Sequence, residues 1–115
     1  LFLVMVIFFL VCCDQLSKSY IVSHFQLYES LTILPGFDVF YTINKGIAFS
    51  FLQGHGYLVY VSFIGAAMFF YCLLDEPSIK LKWAYSLIVA GALGNGIDRL
   101  LLGHVVDFIH VYYEN

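Results

Sequence analysis

The chain has 115 residues, enough for one domain, and 62% of them are hydrophobic while only 11% are charged. An ordinary soluble domain carries about 25% charged residues, so this composition is that of a membrane protein. A net charge of −3 without a basic patch excludes nucleic acid as a partner.

A helix needs about 20 residues to cross a hydrocarbon core of about 30 Å. The first element opens on the apolar run Leu1 to Cys13, only about 20 Å of helix, so it must continue through Asp14 and Lys18 to residue 23 to span. Asp14 and Lys18 are one helical turn apart, the spacing at which opposite charges meet. Mutual neutralisation would make this helix end tolerable in lipid, and paired intramembrane charges also face bundle interiors or water-filled cavities. Cys12 and Cys13 follow an apolar stretch, but Val11 is not a small residue and no basic segment precedes it, so a lipoprotein signal is excluded. With Cys72 they lie in apolar runs without paired metal-ligand spacing, which points to buried structural thiols.

Residues 25–55 are mixed in character. The runs Leu31 to Leu34 and Phe37 to Ile43 around Pro35-Gly36 predict a small antiparallel sheet at the membrane surface. The second span, Gly56 to Leu74, contains no charge, and Tyr57, Tyr60 and Tyr71 sit near its ends as interfacial anchors do. The third runs from Trp83 to Leu102 and ends at Gly103, with Asp98 about 22 Å along its axis, near the far interface. Lys80 and Lys82 in the short loop 75–82, against Lys45 alone in the first loop, assign residues 75–82 to the cytoplasm. Residues 25–55 and the Asp98 to Asp107 segment are then both outside. The expected fold is a single mainly α-helical integral membrane domain with spans at 1–23, 56–74 and 83–102 and a small extracytoplasmic antiparallel β element at 25–55.

Chemistry concentrates in Gly91 to Ile109, where Asn95, Asp98, Arg99 and Asp107 accompany an apolar run. An ionisable group at membrane depth costs roughly 2.5–3.5 kcal/mol even on lenient scales, so each requires a reason. Gly91, Asn95, Asp98 and Leu102 share one helical stripe, and Gly91, Ala92, Gly94 and Gly96 permit close approach of a neighbouring helix. Packing glycines with a snorkelling Arg99 account for part of this pattern and leave Asp98 uncompensated. The glycine order is not that of a dinucleotide fingerprint, and the four histidines lack metalloprotease spacing. Ser50 and Ser62 lack the setting of an acyl-enzyme nucleophile. Carboxylates remain: two aspartates sharing a proton hydrolyse a peptide bond without metal or cofactor, one as base on water and the other polarising the carbonyl. Asp98 and Asp107 are the visible candidates.

Three segments then stand out together: Asp14-Gln15-Leu16-Ser17-Lys18, Asn44-Lys45-Gly46-Ile47-Ala48-Phe49-Ser50, and Gly91 to Arg99 followed by Val105-Val106-Asp107-Phe108. In order and spacing, along nearly the whole chain, they resemble the bacterial lipoprotein signal peptidases, also called signal peptidase II. Ala90 stands where a glycine is common and Ile47 where alanine is usual. The resemblance implies four transmembrane helices, a small extracytoplasmic sheet cradling the substrate, and an aspartyl dyad near the outer face of the bacterial cytoplasmic membrane. It implies no cofactor or metal. The substrates it implies are diacylglyceryl-modified prolipoproteins embedded in membrane lipid, cut before the lipid-bearing cysteine.

By this likeness Asp107 is one catalytic aspartate, and the other belongs to a later Phe-Asn-x-Ala-Asp motif that residues 1–115 do not contain. Asp98 becomes a supporting residue that orders the site with Asn95 and Arg99, while Asp14, Lys18 and Asn44 line it. The chain also opens in mid-hydrophobic run and stops within an aromatic-rich stretch, so an incomplete, inactive enzyme is expected. Two alternatives stay open: an Asp98–Asp107 dyad within this chain, and a non-enzymatic membrane protein, such as a transporter or assembly subunit, using Asp14, Lys18 and Asp98 as an ion path or contact.

Overall fold

The structure, a computed structural model, describes residues 1–44 and 56–112. Lys45 to Ser50 of the second motif, and His55, lie outside the described residues. Helix α1 covers Phe2–His24, a run without glycine or proline to interrupt it. Strands β1 (Ser30–Leu34) and β2 (Phe37–Asn44) follow, turning at Pro35-Gly36, where Gly36 has a φ of 87° that a side chain would disfavour. Helices α2 (Leu58–Leu74) and α3 (Ile79–Leu102) come next, then β3 (Val105–Val111).

Helix α3 starts at Ile79, ahead of the apolar run, because Ser78 caps it: the Ser78 Oγ accepts the Leu81 N–H at 3.4 Å. Such a cap satisfies one of the donors that a helix start leaves open. Lys80 and Lys82 therefore sit in its first turn and not in a loop. The other end is set by Gly103, whose left-handed φ of 81° lets its N–H reach Arg99 O, the usual glycine stop. The chain then returns immediately as β3, a strand absent from the expected two-stranded element. The sheet is antiparallel in the order β1-β2-β3.

Helix α3 is the middle layer, packing on α2 along one side and α1 along the other. Ile7, Ala66, Leu73, Val89 and Ala90 form the apolar core. Small residues set the spacing. A Cβ on Gly94 would collide with the Asp14 carboxylate, and one on Gly96 would stand 3.0 Å from Phe63, whereas one on Gly91 would meet nothing. Gly94 and Gly96 carry the close approaches expected of this glycine-rich segment, and Gly91 does not.

The polarity of the molecule is inverted relative to a soluble domain. Phe8, Phe9, Ile64, Met68, Leu87 and Leu101 are exposed, while Lys18, Ser62, Ser86 and Asp98 are buried. Cys13 and Cys72 face outward and Cys12 is half-buried, contrary to the expected buried thiols; on an apolar exterior a small thiol loses nothing by facing out. Among the described residues, α1 is the helix long and apolar enough by length and composition to cross a membrane, while α2, at 17 residues, is apolar but shorter.

Candidate active site

Four residues singled out by sequence converge where the second half of α1 meets the last turns of α3. Lys18 Nζ lies 2.9 Å from Asp14 Oδ2 and 2.9 Å from Asp98 Oδ2. It also donates to Asn95 Oδ1 at 3.4 Å. The ammonium thus bridges two carboxylates from different helices. The Lys18 and Asp98 side chains are only 9% and 3% exposed, and Asp14, at 31%, forms the open side. Breaking a buried pair by removing one partner typically costs about 3–5 kcal/mol, because the remaining charge is stranded. The one-turn spacing of Asp14 and Lys18 therefore does more than neutralise a helix end: it carries the cation that compensates Asp98.

Gln15 completes the knot. Its Nε2 stands 2.9 Å from Asp14 Oδ2, 3.1 Å from Asp98 Oδ1 and 3.1 Å from the Gly94 carbonyl. An amide nitrogen has two hydrogens, so these three acceptors share them. Gly94 admits this contact, since any side chain there would occupy the space of the Asp14 carboxylate. Sequence reasoning noted Gln15 only as part of a motif; its position beside Asp14 on the inward face of α1 was the available signal.

Asp98 also reaches beyond the helices. Its Oδ2 accepts the buried Val106 N–H at 3.1 Å, tying the end of α3 to the first residues of β3. Val105 and Val106 are themselves buried. Arg99, next along the helix, turns the other way: its Nη1 donates to Ser62 Oγ of α2 at 2.5 Å, and that hydroxyl donates to Leu58 O at 3.0 Å. Arg99 is therefore a bridge between α3 and α2 and not a snorkelling cation. Ser62 is the one serine of a charge-free helix and stands at the height where Arg99 meets it.

Asp107 lies outside this network. It pairs in register with Thr42 of β2, is exposed, and accepts the Ile109 N–H on Oδ1 at 3.3 Å. Asn44 ends β2 opposite Val105 and is exposed. The two aspartates nine residues apart are thus in opposite states. One is enclosed and held on both oxygens by Lys18, Gln15 and Val106; the other is open to an incoming molecule. Beside the knot, a cleft of about 300 Å³ is lined by Gln15, Lys18, Ser19, Asp98 and Val106, with apolar residues around them. Among the described residues no group of three or more His, Cys, Asp or Glu is placed to hold a metal ion.

The chain is similar to several known proteins. The family model described as signal peptidase (SPase) II matches residues 6–115. The lipoprotein signal peptidase of Shewanella pealeana is 45% identical over 108 residues, covering 88% of this chain and 64% of that protein. That of Shewanella amazonensis is 43% identical over 118 residues, covering 96% and 69%. This chain therefore spans about two thirds of the length of the curated relatives it matches. A bacterial membrane enzyme solved by the in meso method at 2.3 Å superposes with a TM-score of 0.85 at 30% identity, over 96% of this chain and 70% of that one. A second, solved in the same way at 1.9 Å, gives 0.79 at 31% identity, over 95% and 73%.

Proposed function

The chain belongs to the signal peptidase II family, and we propose that the protein removes the signal peptide from diacylglyceryl-modified prolipoproteins by an aspartyl mechanism. Membership of the family leaves the non-enzymatic reading without support. Asp107 is the catalytic carboxylate of this chain, and a second aspartate comes from a Phe-Asn-x-Ala-Asp segment that residues 1–115 do not contain. One carboxylate takes a proton from water, whose oxygen attacks the scissile carbonyl carbon, while the other, protonated, donates a hydrogen bond to the carbonyl oxygen. The C–N bond then breaks and the leaving amine takes up a proton. The products are a signal peptide with a free carboxylate and a lipidated cysteine with a free amine.

Asp14, Lys18, Asn95 and Asp98 position the site, Arg99 ties α3 to α2 beside it, and Asn44 borders it at the end of β2. The observation that carries this reading is the Asp98 bond to Val106 N–H, immediately before Asp107. An enclosed, ion-paired carboxylate holds the strand on which an open one is presented. The three helices cross the bacterial cytoplasmic membrane, with the α2–α3 turn in the cytoplasm and the sheet outside. A substrate anchored by its acyl chains then presents its scissile bond at the depth of Asp107, and membrane lipid is the other partner.

The test is cleavage of a diacylglyceryl-modified prolipoprotein by the purified full-length enzyme. Cleavage before the modified cysteine is expected from wild type and none from Asp107→Asn, which inserts and folds normally. Equal rates from both would remove Asp107 from the mechanism. For the topology, single cysteines replacing Ser78 and Glu29, in a background lacking Cys12, Cys13 and Cys72, are probed on intact cells with an impermeant thiol reagent. Labelling at position 29 alone is expected; labelling at 78 alone would invert the orientation.

A further inference from the structure

We propose that the outer edge of β3 is the docking rail for the peptide segment of the substrate, which adds to the sheet as a fourth strand beside Asp107. This rests on the peptidase reading and specifies how the peptide, as distinct from its lipid, is held. In the sheet order β1-β2-β3, β3 has a second edge that no described strand covers. The Tyr112 N–H donates to Gly36 O at 2.9 Å, and Val111 and Ile109 stand opposite Phe37 and Val39. In an antiparallel ladder, bonded and non-bonded pairs alternate. Tyr112–Gly36 and His110–Asp38 are therefore the bonded pairs, and the backbone groups of Val111 and Ile109 turn away from β2. Val111 and Ile109 are 73% and 61% exposed, and among the described residues no strand pairs with this edge.

The contact of Asp107 confirms the direction. Its Oδ1 reaches the Ile109 N–H at 3.3 Å, so the carboxylate curls over the outer edge, where the backbone of an added strand would lie. A substrate carbonyl arriving at Ile109 takes over that N–H and frees Asp107 Oδ1 to face water and the scissile bond. An unpaired strand edge of this kind is ordinarily an aggregation hazard; here the carboxylate caps it until a peptide arrives. Main-chain bonds of strand addition give affinity with little demand on side-chain identity, which suits an enzyme that must accept many signal sequences.

The experiment uses full-length enzyme and a synthetic diacylglyceryl lipopeptide, with single N-methyl groups placed in turn on the four amides upstream of an unaltered scissile bond. Strand addition makes every second amide point at β3, so kcat/KM falls about tenfold at alternate positions, as expected for one lost hydrogen bond, and changes little at those between. Val111→Pro removes an outward N–H without removing a β2–β3 bond, a place where proline is tolerated in a strand. It raises KM and leaves kcat near wild type. Uniform tolerance of N-methylation, or losses at adjacent positions without alternation, overturns the rail while leaving the peptidase reading intact. Failure to cleave the unmodified lipopeptide overturns both.

Discussion

The end of α3 and the strand that follows it present two aspartates in opposite circumstances. Asp98 sits 3% exposed against Lys18 and has Gln15 and Val106 N–H on its oxygens. Asp107, on the exposed part of β3, accepts the backbone N–H two residues on. Burial and ion pairing alone therefore do not mark a carboxylate as the reactive one, since structural ion-pair networks bury them too. In the proposed reading Asp98, ion-paired and hydrogen-bonded on both oxygens, holds the element that carries the reactive group. An Asp98–Asp107 dyad would require Asp98 to abandon three partners.

The comparison breaks most readily at the shared cation. Lys18→Ala leaves Asp14 and Asp98 facing each other without compensation, and is expected to cost about 3–5 kcal/mol. Thermal unfolding of the full-length protein in detergent should show a large fall in Tm; an unchanged Tm would mean that the bridge contributes nothing. Gly94→Ala comes next, because its Cβ falls on the Asp14 carboxylate, and overpacking of this kind costs about 1–3 kcal/mol. Ser62→Ala removes the Arg99 contact to α2 and is expected to cost about 0.5–1.5 kcal/mol in the same measurement. Gly91→Ala, with nothing within 4 Å of the new methyl, should be neutral or stabilising by up to about 1 kcal/mol. If Gly91→Ala destabilised as much as Gly94→Ala, the assignment of the close helix contact to Gly94 would fail.

Local pattern made some of this legible in the sequence. Leu31 to Leu34 and Phe37 to Ile43 around Pro35-Gly36 became β1 and β2, and Gly103 does end α3. Trp83 misled as a helix start because hydropathy marks the lipid boundary, whereas helix initiation is set by caps, and Pro77-Ser78 supplies one well before the apolar run. Strand β3 was passed over because Val105 to Val111 gains its partner from β2, more than sixty residues earlier, and its alternation alone is broken by two adjacent buried valines. At the site, Asp14 and Lys18 were readable from their one-turn spacing. The Lys18–Asp98 bridge was not, since it depends on how closely α1 and α3 approach, which Gly94 decides. The resemblance to a known family, and not periodicity, kept Asp107 as the catalytic candidate and turned Asp98 into a supporting residue.

The proposed division of labour, in which Asp98 holds and Asp107 reacts, is tested most directly by Asp98→Asn and Asp107→Asn side by side in the full-length enzyme, recording unfolding in detergent and cleavage of a lipidated substrate. Asp107→Asn is expected to keep the wild-type Tm and lose turnover, while Asp98→Asn lowers the Tm and retains partial turnover at temperatures where it stays folded. Complete loss of turnover in both, with wild-type Tm in each, would contradict this division and restore the two aspartates as a catalytic pair.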